Sequence, residues 1–331
     1  MQKENEQQVI AGAKYRLQQL QQRSAFALRG ARNYAKLRLR SANHRPQFAA
    51  VTVGRNDDYM PDFRERLLAT IAWNVKFLVS EFVFVEWNPP ADRDLLSVEL
   101  TKRFECLRAY VVPGEVHQRI CQNPNVNLLE YHAKNVGIRR AQSPWIISTN
   151  ADAAIGLDSV NRLLNEQLDP DVLWTAERWD IPWRENQQTQ IDLWTSLRYR
   201  RLIPYGRLGT GEFCLASRAL WHRARGFDEK LVKHRIGCDV RGTAQMEALG
   251  GSIKRAGTVL HLTHPTSCTE NIQPHHGEMA TPEGVPYQNS DDWGLGHMKE
   301  VEIAERVWEL KQDTYPARAG ESIKPGARAP G

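Results

Sequence analysis

The sequence predicts an α/β protein with a mixed, mostly parallel sheet covered by helices, and three observations lead there. Between residues 46 and 156, apolar runs of strand length alternate four times with helix-length amphipathic segments. The runs are unpatterned, as in the "FVFV" of Phe82 to Val85, which is how strands buried on both faces read. Polar residues cluster where the strands end, in "GRNDD", "EWNPP" and "NAD", and ligands of such sheets bind beyond the carboxyl ends of the strands.

Taken in order, residues 1–45 read as an N-terminal helical arm, basic and amphipathic. No acidic residue occurs between Gln7 and Asn56, while Lys14, Arg16, Arg23, Arg29, Arg32, Lys36, Arg38, Arg40 and Arg45 alternate with Leu17, Leu20, Leu28 and Leu39. Pro46 stops that helix, and Phe48 to Val53, closed by Gly54, is the first strand. "PDFRERLLATIAWNVKFLV" follows with Phe63, Leu67, Ile71 and Leu78 at helical spacing and Asp62 as an acid of the first turn. "EFVFVEWNPP" is a strand halted by prolines, "DRDLLSVELTKRFECL" a helix, "RAYVVP" a strand, "NLLEYHAKNVGIRRA" a helix and "PWIISTNADAAIG" the fourth strand. Beyond Asp158 the pattern turns irregular. Trp174, Trp179, Trp183, Trp194 and Trp221 fall close together, with several expected in loops. A strand, turn and helix over "GTGEFCLASRALWHRARGFDEKL", a helix after Asp239 and a short strand "TVLHLTHP" complete the fold. Residues 273–312 read as a C-terminal extension and 313–331, rich in Pro, Gly and Ala, as a disordered tail.

Composition excludes several classes. The 331 residues are 41% hydrophobic and 25% charged, ordinary for a globular chain, and no apolar run approaches the roughly 20 residues that span a bilayer. The five cysteines are scattered without a C-x-x-C pair, so reduced thiols and a cytoplasmic protein are expected. The basic arm is expected to be a solvated helix on its own protein or a peripheral contact with an anionic inner membrane surface. Nucleic acid is the least favoured partner, because few aromatics interleave the charges.

Neither G-x-G-x-x-G after the first strand nor G-x-x-x-x-G-K-[ST] is present, so a bound nucleotide would need its diphosphate neutralised by a metal ion. Asp152, at the end of the fourth strand, with His261 or His264 supplies a carboxylate and imidazole set that favours Mn2+, with Mg2+ as the alternative. Asp239, in "IGCDV", is the candidate general base. Plainer alternatives stay open. N-x-D is a common turn, H-x-x-H on a strand can simply pack, Cys238 or Cys268 would turn the histidines into a zinc cluster, and Asp239 can be a helix N-cap.

The order of these features resembles the GT-A glycosyltransferase superfamily over roughly residues 47 to 268. "VTVGRNDDY" looks like its first strand and nucleobase loop, and "AKNVGIRRAQSPWIISTNAD" like its A-R-N-x-G-x-x-x-A helix and D-x-D strand end. Ala133, Asn135, Gly137 and Ala141 match, while Lys134 stands in place of Arg and Asn150 in place of the first Asp. The later segment is similar to galactosyltransferases and polypeptide N-acetylgalactosaminyltransferases at Gly209, Gly211, Phe213, Arg218, Trp221, Gly226, Phe227, Asp228, Glu229, Asp239 and Gly250. The resemblance implies a Rossmann-like GT-A domain with a nucleotide-sugar-binding half over 46–158 and an acceptor and catalytic half over 159–272. It implies Asp152 with His261 or His264 as the metal site, Asp239 as the base of an inverting transfer, and donor contacts from Val53, Arg55, Asn56, Asn88, Lys134, Asn135 and Asn150. The expected activity is transfer of a sugar from a nucleotide-sugar, UDP-linked, to a glycan or lipid-linked acceptor. The alternative is a GT-A-like module that binds a glycan or nucleotide without catalysis. The arm and Ser290 to Met298 lie outside the resemblance.

Overall fold

The computed structural model describes Lys14, Leu17, Gln21, Ile191 and residues 47–57, 59–60, 62–183, 200–201, 211–233, 237–264 and 284–312. Of the basic arm this leaves only three positions, helical and exposed; its expected contacts, Gly209, Trp194, Cys268 and the tail lie outside the described residues.

The expected alternation is present as β1 (Phe48–Gly54), α1 (Phe63–Phe77), β2 (Glu81–Trp87), α2 (Leu96–Arg103), β3 (Leu107–Val112), α3 (Gly114–Ile120), α4 (Glu130–Arg140) and β4 (Trp145–Thr149). The short helix α3 was not expected. Every residue of β1 is buried, which is why its sequence shows no alternation. Each large apolar side chain withdrawn from water in this way contributes roughly 1.5–3 kcal/mol. Near the end of β2, the fully buried Glu86 accepts from the backbone N–H groups of Leu96 (3.0 Å) and Ser97 (2.8 Å) and from the Ser97 hydroxyl (2.6 Å). A carboxylate there satisfies the free N–H groups at the start of α2 and fixes the loop that follows "EWN".

The chain continues as β5 (Ala153–Ile155), α5 (Leu157–Leu163), β6 (Val172–Ile181), β7 (Arg200–Arg201), β8 (Phe213–Ser217), α6 (Arg218–Ala224), α7 (Cys238–Ala248), β9 (Ser252–Leu262), β10 (Lys299–Ala304) and β11 (Val307–Lys311). All of these strands join one mixed sheet in the order β10-β11-β3-β2-β1-β4-β8-β6-β9-β5, with β7 beside β6. Strands β3, β2, β1 and β4 run parallel, β8 enters antiparallel between β4 and β6, and β6 and β9 run parallel to each other. Two expectations are corrected here. Trp174 and Trp179 sit on β6 and Trp221 on α6, all buried, so these rings are core rather than loop residues; Trp183, also buried, follows β6. The short histidine-bearing strand is the end of the eleven-residue β9.

Residues 284–312 of the C-terminal extension are built into the domain. Arg139 Nη1 donates to the Trp293 carbonyl (2.9 Å), and Arg140 donates to those of Gly294 (2.6 Å) and Leu295 (3.1 Å). Trp293, 4% exposed, lies against the Arg139 guanidinium. This docks Ser290 to Met298 as a strap over the end of α4. The β10–β11 hairpin then adds β11 in parallel beside β3, where Trp308 stacks on Tyr110 with ring centroids 5.5 Å apart. No helix among the described residues is long and apolar enough to cross a membrane.

Candidate metal centre and carboxylate site

Sheet pairing assembles the metal candidates. Asp152 lies in the turn between β4 and β5, and β5 pairs antiparallel with β9 so that Ala153 faces His261. The Leu262 N–H donates to the Asp152 carbonyl at 2.9 Å, which locks that turn against the end of β9. Asp152 Oδ2 is 3.2 Å from His261 Nε2 and 3.0 Å from His264 Nε2, and the two nitrogens are 3.1 Å apart. These three atoms form a nearly equilateral triangle. An octahedral cation with ligands at about 2.1 Å separates neighbouring ligands by about 3.0 Å, so the triangle has the size of one face of such a site. The donor set of one carboxylate oxygen and two imidazole nitrogens suits Mn2+, and Mg2+ less well. Among the described residues this is the group able to hold a metal, and Cys238 is not part of it.

The triangle is supported from behind. Asp180 faces His261 across the parallel β6–β9 pairing, and its Oδ1 lies 2.8 Å from His261 Nδ1, which turns Nε2 toward Asp152. Arg66, fully buried on α1, donates through Nη1 to the carbonyls of Leu262 and Thr263, each at 3.0 Å, and so holds the turn that carries His264. Burial works against the Asp152 charge, but the facing His261 and His264 overcome it and hold its carboxyl well below the usual range. Burial likewise works against the His261 charge, but Asp152 and Asp180 hold its pKa up at about 9.

The second part of the site lies between α4, the turn before β8 and the start of α7. Lys134, fully buried, donates to Asn150 Oδ1 (2.7 Å) and the Gly211 carbonyl (3.1 Å) and pairs with Glu130 (2.7 Å), while its ammonium lies 4.8 Å from the centre of the Tyr131 ring. A Cβ at Gly211 would meet the Tyr131 hydroxyl at 2.7 Å and Asp239 Oδ2 at 3.5 Å, so only glycine lets this turn pass between them. The N-cap of α7 is Gly237, so Asp239 stands in the first turn of the helix, inside its cap. Burial, reinforced by the charge of Glu212, pushes the Asp239 pKa up to about 6. Burial also pushes the neighbouring Cys214 up to about 12 and Cys238 higher still, so both thiols stay protonated and inert.

The remaining candidates separate into two groups. Val53, Arg55, Asn56 and Asn88 stand together at the carboxyl ends of β1 and β2. Arg55 donates to the Asn88 carbonyl and pairs with Asp57, Asn56 reaches the Asp94 carbonyl (3.0 Å), and Asn88 reaches that of Asn127 (3.0 Å). Asn135, expected to touch the donor, is instead fully buried with its amide committed elsewhere. Its Nδ2 donates to the Phe227 carbonyl (2.8 Å) and Glu229 (3.0 Å), and its Oδ1 accepts from the Phe227 N–H (2.7 Å). It clamps the Gly-Phe-Asp-Glu turn, whose Gly226 has φ 70° and no room for a Cβ beside Asn135. Asn289 seals the other side of that turn, accepting from the Glu229 N–H at 3.0 Å.

Sequence reasoning missed Asp180, Arg178, Glu212 and Arg66. The "RWD" of Arg178 to Asp180 places two opposite charges on one face of a strand otherwise rich in apolar residues, a signal that could have found the first two. Nothing local marks Arg66, whose partners lie nearly 200 residues away.

No protein-family model matches this sequence, and no curated protein matches it. Among solved structures, the chain is similar to GalNAc-T7 with UDP, GalNAc and Mn2+, at 12% identity and a TM-score of 0.46, over 68% of this chain and 46% of that one, under half its length. It is also similar to the mannosyltransferase PcManGT of Pyrobaculum calidifontis in complex with GDP-Man and Mn2+, at 16% identity and a TM-score of 0.43, over 76% of this chain and 68% of that one.

Proposed function

We propose that the protein is a metal-dependent, inverting glycosyltransferase that moves a hexosyl or N-acetylhexosaminyl group from a UDP-sugar to a hydroxyl of a glycan or lipid-linked acceptor, in polysaccharide synthesis on the cytoplasmic side of a membrane. The observation that carries this reading is the closed Asp152, His261 and His264 triangle at the carboxyl edge of the sheet, in a chain whose motifs follow GT-A order.

Asp152, His261 and His264 would hold Mn2+ or Mg2+, which when bound supplies positive charge to a departing nucleoside diphosphate. Asp239 takes the proton of the incoming hydroxyl. A pKa of about 6 leaves it ionised at neutral pH yet more basic than an ordinary carboxylate, as a general base requires. Lys134 fixes Asn150 at the strand end, so that the amide stands ready for the ribose or a metal-bound water. Val53, Arg55, Asn56 and Asn88 serve the nucleoside end, and Asn135 acts indirectly by holding the turn that leads toward Asp239. The N-terminal arm serves as a solvated helix on its own protein or as a peripheral contact with anionic lipid, the two roles its basic amphipathic pattern fits.

The test is release of nucleoside diphosphate from a panel of UDP- and GDP-sugars with Mn2+. Activity should require the metal, disappear in Asp152→Asn, and lose transfer but keep nucleotide binding in Asp239→Asn. Turnover that survives chelation would refute the metal-dependent mechanism. Nucleotide-induced stabilisation without any donor hydrolysis would favour the non-catalytic binding module.

A further inference from the structure

One side chain touches both parts of the site. Arg178, on β6, aims Nε at Asp180 Oδ1 (3.1 Å), Nη1 at Glu212 Oε1 (2.5 Å) and Nη2 at the His261 ring (2.8 Å to Nδ1 and 3.2 Å to Nε2). Asp180 is the residue that turns His261, and Glu212, next to Gly211, is the anion whose charge bears on Asp239. A planar guanidinium presents its donors in a fixed fork, so Nε and Nη1 set Asp180 relative to Glu212, while Nη2 packs against the His261 ring, whose Nδ1 is committed to Asp180.

We propose that Arg178 is a positioning residue for both parts of the site: its fork holds Asp180 where it orients His261 for the metal and ties Glu212 in place beside the Gly211 turn that passes Asp239. The proposal deepens the glycosyltransferase reading and rests on it for its place in a reaction. Among the described residues, the charged and titratable groups that bear on Asp239 include Glu130, Tyr131 and Lys134 from α4, Glu212 and Cys214 from β8 and the turn before it, and Cys238 from its own helix. Lys134 is already shared among Glu130, Asn150 and Gly211, which leaves Arg178 as the cation paired with Glu212 among these contacts. Without Arg178, Glu212 would lose this ion pair, and its charge would bear more strongly on Asp239.

The experiment uses the full chain, metal-free, with 13C-labelled aspartate carboxyls, the Asp239 resonance being identified by its loss in Asp239→Asn. Arg178→Met should raise the Asp239 titration midpoint by about one pH unit, and Glu212→Gln should lower it. The double variant should match Glu212→Gln alone, because the influence of Arg178 passes through Glu212. Mn2+ affinity, followed by electron paramagnetic resonance, should fall about tenfold in Arg178→Met and stay unchanged in Glu212→Gln. A midpoint that does not move in Arg178→Met, an unchanged Mn2+ affinity, or a double variant that keeps the upward shift overturns the dual role. Should Arg178→Met fail to fold, an Asp239 midpoint that does not fall in Glu212→Gln overturns it as well. Neither readout needs turnover, so a chain that consumed no nucleotide-sugar would sink the transferase reading and leave this proposal standing.

Discussion

Asp180 Oδ1 stands 2.8 Å from His261 Nδ1, on the side of the ring opposite the nitrogen that faces Asp152 and His264. A carboxylate in that position fixes both the orientation of the ring and which nitrogen is left for a metal. Asp180→Ala should therefore weaken Mn2+ binding by 10–100-fold. Calorimetric titration of the two proteins checks it, and equal dissociation constants would show the contact to be incidental.

Metal should also stabilise the fold. A cation that binds only the folded state at a hundred times its dissociation constant contributes about 2.7 kcal/mol. Mn2+ is expected to raise the melting temperature of the wild type and to leave Asp152→Asn and His264→Ala where they are. A shift of equal size in all three would point to a different cation site.

The acid limb of kcat/KM should lie near pH 6, where Asp239 gains its proton, with activity falling below it. Stability should move the opposite way. Between about pH 4 and 6 the folded chain keeps a proton on Asp239 that the unfolded chain has lost, so the contribution of this group to stability decreases as pH rises through that window. Asp239→Asn cannot ionise and should melt higher than wild type above pH 6 while losing transfer. Thermal melts at pH 4, 6 and 8 measure this, and a variant less stable at pH 8 contradicts the assignment.

Asn135→Ala separates a clamp from a ligand contact. It strips the partner from the Phe227 N–H and leaves the Phe227 carbonyl with Asn289 Nδ2 as its remaining donor, and should cost about 2 kcal/mol in urea unfolding. Nucleotide affinity of the folded variant should stay within twofold. A large loss of affinity with unchanged stability would restore Asn135 to the donor site.

What could be read in advance follows from the range of the forces involved. The parallel half of the sheet was legible because strands buried on both faces write continuous apolar runs, as Phe48 to Val53 and Phe82 to Val85 do. Asp152 and the histidines could be picked out as residue types in an order, and their meeting depends on the β5–β9 pairing, which brings together segments about a hundred residues apart. Arg66 and Glu212 were hidden because their partners are remote in sequence, and a buried Arg or Glu looks like any surface charge until its partner is known. Asn135 was picked out by its motif, while its hold on the Phe227 turn was hidden for a related reason. A motif marks a position as constrained, and burial decides whether the constraint is a ligand or a neighbouring turn. The C-terminal strands escaped notice because β10 is exposed and alternates charges with single apolar residues, the habit of an edge.

That edge has a practical consequence. Because β11 lies parallel beside β3, trimming the protein to the stretch that carries the motifs would leave β3 with a bare row of hydrogen-bonding groups, an invitation to self-association. A minimal working fragment has to retain the hairpin that ends at Lys311, however little those last strands contribute to chemistry.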